Sequence, residues 1–279
     1  MKIYVVIPAH NEEAFLRKTL DSLINQTLRP SRIVVVNDNS SDGTQEIINT
    51  YSARYSFIEG VTLVSSEAHA PGSKVINAFY KGYEKLDTDF DVICKFDADL
   101  IFPSNYLETI ANVFKNSENV GLAGGFCYIE KNGTWELEDL TGKDHIRGAL
   151  KSYRKECLRD IKGLRKAMGW DTIDELLAQY HGWELKTLQS LKVKHLKPTA
   201  TAYAKRSGYM QGAAFKRMRY GFLLTLIAAL KLAWKKKSLS YFLTCLKGFI
   251  SEKNSYLVSS AEGKFIRKLR WRNIRRKLL

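Results

Sequence analysis

Two carboxylates one residue apart, Asp97 and Asp99, follow the apolar run Val92-Ile93-Cys94-Lys95-Phe96. The run is short and contains β-branched residues, and the chain leads from it toward Pro103, so it reads as a buried strand ending in a loop. Hard oxygen donors spaced this way can face one divalent cation, and Mg2+ or Mn2+ held by one or two carboxylates completes its shell with substrate phosphates. The ligand implied is a diphosphate. Taken alone, an Asp-x-Asp pair is short and common and usually means a solvated acidic turn. The rest of the chain decides its meaning.

Strand-like runs at residues 2–8, 32–36, 61–64, 92–96 and 120–128 alternate with helical patterns at 12–26, from Thr44, at 73–86 and at 106–114, with Asn11 available to cap the first helix. That alternation predicts an α/β fold: a mostly parallel, nucleotide-binding type of sheet flanked by helices. Pro8-Ala9-His10-Asn11-Glu12 and Asn37-Asp38-Asn39-Ser40-Ser41-Asp42-Gly43-Thr44 then lie at strand carboxyl ends, as Asp97 and Asp99 do. The second loop is rich in cap and turn formers and could be no more than a helix entrance. Three carboxylate-bearing loops on one sheet edge, however, are better explained by a ligand site, because that edge is where open α/β sheets bind ligands.

The 279 residues carry a net charge of +15, distributed very unevenly: residues 1–204 hold 25 Lys/Arg against 27 Asp/Glu, whereas residues 205–279 hold 19 against 2. The expectation is a catalytic domain at 1–204 followed by a basic helical extension at 205–279 that meets an anionic surface. In the extension, residues 221–234 are apolar almost all round but fall short of the roughly 20 residues that span a bilayer. Leu239, Phe242, Leu243, Leu246, Phe249 and Ile250 share one helical face, opposite Ser240, Thr244 and Lys247. With Trp234 and Lys235-Lys236-Lys237 beside them, these stretches predict helices lying in an anionic leaflet, with packing on the catalytic domain or dimerisation as the alternatives. The first residues lack a secretory leader pattern, and Cys94, Cys127, Cys157 and Cys245 form no Cys-x-x-Cys pair, so a cytoplasmic protein, peripheral on the inner face of the cell membrane, is expected.

Pro-Ala-His-Asn-Glu-Glu at 8–13, Val-Val-Asn-Asp-Asn-Ser-Ser-Asp-Gly-Thr at 35–44 and Phe-Asp-Ala-Asp at 96–99 resemble, in order and spacing, the successive signatures of the inverting family 2 glycosyltransferases of glycosyltransferase A fold. The resemblance covers about residues 1–200. It implies transfer of a sugar from a nucleoside diphosphate sugar to an acceptor hydroxyl on a glycan or lipid-linked acceptor, with Mn2+ or Mg2+ as cofactor. It also implies that Pro8, Ala9 and Glu12 line the nucleoside, that Asp38 accepts a bond from the base, that Asp97 faces ribose or metal, and that Asp99 ligates the metal. Asn37 stands where the family commonly has a second aspartate. Gly169-Trp170-Asp171-Thr172-Ile173-Asp174-Glu175 resembles the family's general-base segment, with Trp170 at the usual Glu position; this makes Asp171 the first choice of base and Asp174 and Glu175 the lesser ones. Val193 to Pro198 resembles the family's strand ending in a histidine near the metal, here His195. The stretch from Asp144 to Arg154 matches the acceptor-side region more loosely, and there His145 and Arg147 could touch acceptor or diphosphate. The family's processive Gln-x-x-Arg-Trp signature is absent, so transfer of a single sugar is expected.

Two other readings compete. An α/β nucleotidyltransferase would show a Gly-rich, Arg/Lys-bearing phosphate loop after its first strand, where this chain has Ala9-His10-Asn11-Glu12-Glu13. A nucleic-acid-binding protein would use the basic extension, but no recognisable nucleic-acid module accompanies that charge, and no nucleic-acid partner is expected.

Overall fold

The computed structural model describes residues 1–64, 72–139, 142–197 and 207–278. Pro198, which closes the histidine segment, and the expected domain boundary at 204/205 lie outside the described residues. Four parallel strands, β1 (Ile3–Ala9), β2 (Arg32–Asp38), β3 (Ile58–Leu63) and β4 (Val92–Phe96), stand in the order β3-β2-β1-β4. The apolar runs of β1, β2 and β4 lack a polar face because both faces of a helix-flanked parallel sheet are buried, whereas β3 at the edge alternates, with Ile58 and Val61 buried and Gly60 and Thr62 exposed. The chain winds outward from β1 through β2 to β3 and then returns to β4 on the other side of β1. The strand order thus reverses between β1 and β4, the switch point whose carboxyl edge opens a crevice for ligands.

Beyond β4 the sheet becomes mixed. β8 (Leu150–Arg154) runs antiparallel between β4 and β6 (Val120–Lys131), β9 (Glu184–His195) runs parallel to β6, and the short β5 (Leu100–Ile101) is antiparallel to β9. β7 (Thr134–Leu137) folds back on β6. The sheet is flanked by α1 (Leu16–Ile24), α2 (Thr44–Arg54), α3 (Ser73–Tyr83), α4 (Tyr106–Asn116), α5 (Lys155–Asp160) and α6 (Trp170–Tyr180).

Asn11 is not the cap of α1, which begins only at Leu16 after Phe15 and makes no side-chain cap bond. Asn11 instead takes a left-handed φ of 55°, and its side-chain oxygen accepts the Ser41 N–H at 2.8 Å. Docking one site loop on the other takes precedence over capping, and Asn tolerates that backbone region.

The extension forms α7 (Ser207–Arg217), α8 (Phe222–Lys235), α9 (Leu239–Ser251) and α10 (Ser260–Leu278). Met218, Tyr220, Leu224, Phe249, Ile266 and Leu269 join the buried cluster that also holds Trp170, Ile173 and Leu177 of α6. Phe265 of α10 meets Tyr180 edge-on at 5.5 Å, and Arg165 Nε donates to the Leu257 carbonyl at 3.3 Å. Among the described residues no helix is long and apolar enough to cross a membrane.

Candidate active site

The carboxyl ends of β1 and β2 hold each other in place. Asn11 N–H donates to Ser40 Oγ at 2.9 Å, Glu12 N–H to Thr44 Oγ1 at 2.8 Å, Glu13 N–H to Asp42 Oδ2 at 3.1 Å, and Gly43 N–H to Glu13 Oε2 at 3.0 Å. Pro8 and Ala9 end β1 beside them, with Ala9 in register with Asn37. Asn37 is used at both ends of its amide, for its Nδ2 donates to Gln45 Oε1 at 2.7 Å and its Oδ1 accepts the Ser40 N–H at 3.0 Å. A carboxylate could not make the first bond, which gives the departure from the family's aspartate a local reason. Asp38, next along, is buried, and its Oδ1 has no hydrogen-bond partner among the described residues.

Thr19 of α1 braces the Asp97–Asp99 turn from beneath. Its hydroxyl donates to the Ala98 carbonyl at 2.7 Å and accepts the Leu100 N–H at 3.0 Å. From the other side, Asp97 N–H donates to the Ala149 carbonyl at 2.8 Å, and buried Lys95 reaches both Asp97 Oδ1 and, at 3.1 Å, the Gly148 carbonyl. One oxygen of Asp97 is therefore committed to Lys95. Leu196 N–H donates to the Asp99 carbonyl at 2.9 Å, and the pairing of Leu100 with His195 sets the imidazole against Asp99, with Nε2 3.3 Å from Oδ2.

Asp99 Oδ1 and Glu12 Oε2, like Asp38 Oδ1, are buried without a hydrogen-bond partner among the described residues. Burial raises the Glu12 carboxyl, and the charges of Asp99 and Asp97 raise it further, against the bond that Lys197 Nζ makes to Glu12 Oε1 at 3.1 Å. Buried oxygens left so carry a desolvation cost until a cation or donor meets them. The donor set of Asp99 oxygens and the His195 nitrogen fits a small divalent cation. Cys127 and Glu138 also have donors within reach of His195. Burial pushes the Cys127 thiol up to about 12, which keeps it protonated and makes it a poor ligand for a hard cation. Burial disfavours the charged form of His195, but its bonds to Asp99 and Glu138 outweigh that and raise it to about 9.

A second group of carboxylates lies on α6. Gly169, at φ 77°, turns the chain into this helix, and Asp171 sits in its first turn, where the helix N-terminus favours a negative charge. Asp171 is the accessible member of its trio, its side chain retaining 33% exposure. Asp174 and Glu175 are buried in a network: Lys151 Nζ lies 2.7 Å from Asp174 Oδ1 and 3.2 Å from Glu175 Oε1, and Tyr153 donates its hydroxyl to Asp174 Oδ2. Burial and the charge of Glu175 outweigh Lys151 and lift Asp174 to about 7.

His145 joins Asp171 to this network, with Nε2 3.5 Å from Asp171 Oδ2 and Nδ1 2.9 Å from Glu175 Oε2. Burial works against its charge, yet the two carboxylates hold it up at about 9. Burial would raise Asp171, but the His145 bond and the Lys151 and His145 charges keep it below the ordinary carboxylate value. An ionised, partly exposed carboxylate can accept a proton. His145 and Arg147 lie in the connection before β8 rather than on a helix, and Arg147 Nη1 donates to Glu138 Oε2.

The model of the glycosyl transferase family 2 domain matches residues 4–164, more than half of the chain. The chain belongs to glycosyl transferase family 2. A probable glycosyltransferase of Bacillus subtilis, YdaM, is 41% identical over 100 residues, which are 35% of this chain and 23% of that protein. An uncharacterized glycosyltransferase of Mycoplasma pneumoniae is 27% identical over 218 residues, 73% of this chain and 68% of that protein. The matches to YdaM and to an uncharacterized glycosyltransferase of Mycoplasma genitalium span less than half of those proteins' lengths. Residues 1–349 of S. aureus TarS in complex with UDP-GlcNAc superpose with a TM-score of 0.58 at 16% identity, covering 90% of this chain and 72% of that one. The mannosyltransferase PcManGT of Pyrobaculum calidifontis, in complex with GDP-Man and Mn2+, gives 0.58 at 15% identity, covering 98% and 80%. These structures show the glycosyltransferase A fold.

In this family 2 chain the expected residues form two groups on one sheet edge: Pro8, Ala9, Glu12, Asp38, Asp97, Asp99 and His195 in the first, and Asp171, Asp174, Glu175 and His145 in the second. Gly148 lies between them. A Cβ there would come within 2.9 Å of the Trp170 ring and 3.1 Å of Asp171 Cβ, so the close approach of strand connection and helix requires glycine. Thr19, Lys95, Lys151, Tyr153, Glu138 and Lys197 belong to the arrangement and were not expected from the sequence. For Lys95 a signal was present, a lone charge inside an otherwise apolar strand run.

Proposed function

We propose that this family 2 protein is an inverting, metal-dependent glycosyltransferase that moves a single sugar from a nucleoside diphosphate sugar to an acceptor hydroxyl. The observation that carries the reading is the set of three buried carboxylate oxygens without a hydrogen-bond partner among the described residues, Glu12 Oε2, Asp38 Oδ1 and Asp99 Oδ1, at the carboxyl ends of strands around the switch point. Asp38 suits a base N–H donor, the Pro8–Glu12 loop suits the nucleoside, and Asp99 with His195 suits Mn2+ or Mg2+. When bound, such a cation supplies charge neutralisation to the diphosphate leaving group.

Asp171 accepts the proton of the attacking hydroxyl. As the acceptor oxygen bonds to the anomeric carbon, the bond from that carbon to the diphosphate oxygen breaks, and the nucleoside diphosphate leaves with the electron pair. His145 keeps Asp171 ionised and orients it, while Asp174 and Glu175 hold His145 and Lys151 rather than meeting substrate. Residues 1–204 are the catalytic domain in this reading. Residues 205–279 attach it to an anionic leaflet on the cytoplasmic face of the cell membrane, which suits a glycan or lipid-linked acceptor of surface glycan synthesis. Support for attachment comes from Trp234, Leu239 and Ile250, exposed by 86%, 74% and 68%, beside Lys235, Lys236 and Lys237 and with no carboxylate between residues 205 and 251.

The test is a panel of nucleotide sugars with Mn2+, read as a rise in melting temperature and as release of nucleoside diphosphate. One or more donors should stabilise the protein and be consumed on adding acceptor. Uniform indifference across the panel would overturn the reading.

A further inference from the structure

Glu138 follows β7 and lies 57 positions before His195 in the chain, yet its Oε2 is 2.8 Å from His195 Nδ1. Its own N–H donates to the Cys127 carbonyl at 2.9 Å, which ties it to β6, and Arg147 donates a guanidinium bond to the same carboxylate. Both residues of the Glu138–His195 pair are buried. An imidazole that gives its Nδ1 proton to a carboxylate offers Nε2 as the ligating nitrogen, and such a carboxylate fixes both ring orientation and tautomer. Here Nε2 faces Asp99, whose other oxygen is unpartnered among the described residues.

We propose that Glu138 is the positioning residue of the cation site: it holds His195 as the Nδ1–H tautomer with Nε2 aimed beside Asp99, and Arg147 holds Glu138 in turn. This rests on the cation reading above but goes beyond it, because it gives Glu138 the task of acting through His195 rather than on donor or cation directly. A carboxylate, rather than any hydrogen-bond acceptor, is called for, since its charge raises the donor strength of the ring nitrogen opposite. Arg147 thereby acquires the role of holding Glu138 rather than the expected contact with acceptor or diphosphate.

The experiment uses the full chain with Mn2+ alone, following free Mn2+ by electron paramagnetic resonance, together with long-range 1H–15N spectra of the histidine rings in protein saturated with diamagnetic Mg2+ in place of Mn2+. Glu138→Ala should weaken Mn2+ binding by about 10–100-fold, the range usual for losing a carboxylate behind a ligating histidine. Its His195 signals should change from one tautomer to a mixture. Glu138→Gln keeps the shape and an oxygen acceptor but not the charge, so it should lose less affinity and keep the Nδ1–H tautomer. Should Glu138→Ala fail to fold, Glu138→Gln carries the test, with a several-fold loss expected and parent-like affinity contradicting the proposal. Asp99→Ala is the control that separates the two readings. If it binds Mn2+ like the parent, the cation reading fails and this inference falls with it. If Asp99→Ala loses Mn2+ while both Glu138 variants keep parent affinity and an unchanged His195 tautomer, the inference alone is overturned.

Discussion

Asp171 combines what a general base needs, an ionised carboxylate and partial exposure, whereas Asp174 and Glu175 three and four residues on are closed in by Lys151 and Tyr153. Asp171→Asn keeps the shape and cannot take a proton at neutral pH. Transfer should fall by a factor on the order of 10² or more while donor binding by calorimetry is unchanged; near-parental transfer would move the base elsewhere. The His145 imidazolium makes a pH-dependent contribution to stability, because its folded value of about 9 lies above the ordinary histidine range. A group raised on folding stabilises fully below its unfolded value of about 6.5 and loses that contribution as pH climbs through its folded value. His145→Gln should therefore lower the melting temperature more at pH 6 than at pH 9.5. An equal deficit at both would show that His145 carries no folded-state charge.

At the scale of elements, the site depends on α1 being locked under the Asp97–Asp99 turn by one hydroxyl. Thr19→Val preserves volume but leaves the Ala98 carbonyl and the Leu100 N–H without their partner in the core. Loss of about 2 kcal/mol is expected in denaturant unfolding, with weaker donor binding because the turn is released. Unchanged stability and affinity would remove α1 from the account. The strands β1, β2 and β4 and their loops were legible in the sequence because a continuous apolar run followed by cap and turn formers has a local signature. Thr19, Lys151 and Glu138 were not, since each finds its partner through the fold. A lysine or glutamate at such a position looks the same in sequence as one in water. Asn11 was misread as a cap for a related reason: its partner, Ser41, is thirty residues away. The segment before Arg154 carries no alternation that announces β8, whose pairing with β4 and β6 on both edges decides its conformation.

On the scale of the whole molecule, the extension packs on the core and, in the reading proposed above, also meets a membrane. Its inner faces complete the core around α6, which carries Asp171, so deleting it would uncover part of that core as well as any membrane face. Substitutions on the outer face separate these roles. Exchanging Trp234, Leu239 and Ile250 for serine should leave the melting temperature within a degree or two, while salt-resistant sedimentation with anionic liposomes is lost. Exchanging Lys235, Lys236 and Lys237 for glutamine should remove the salt-sensitive part, each basic residue contributing about 1 kcal/mol near an anionic leaflet. Parental sedimentation in both variants would assign this face to another partner.

The central claim is that a nucleoside diphosphate sugar binds through a cation at Asp99, among the buried oxygens of Glu12, Asp38 and Asp99 itself. Calorimetric titration of UDP and GDP into the parent and into Asp99→Ala, each with Mn2+ and with chelator, tests it most directly. At least one nucleotide should bind the parent only with Mn2+, and Asp99→Ala should lose that binding while keeping its melting temperature. Equal, metal-dependent affinities in the two proteins would contradict the account.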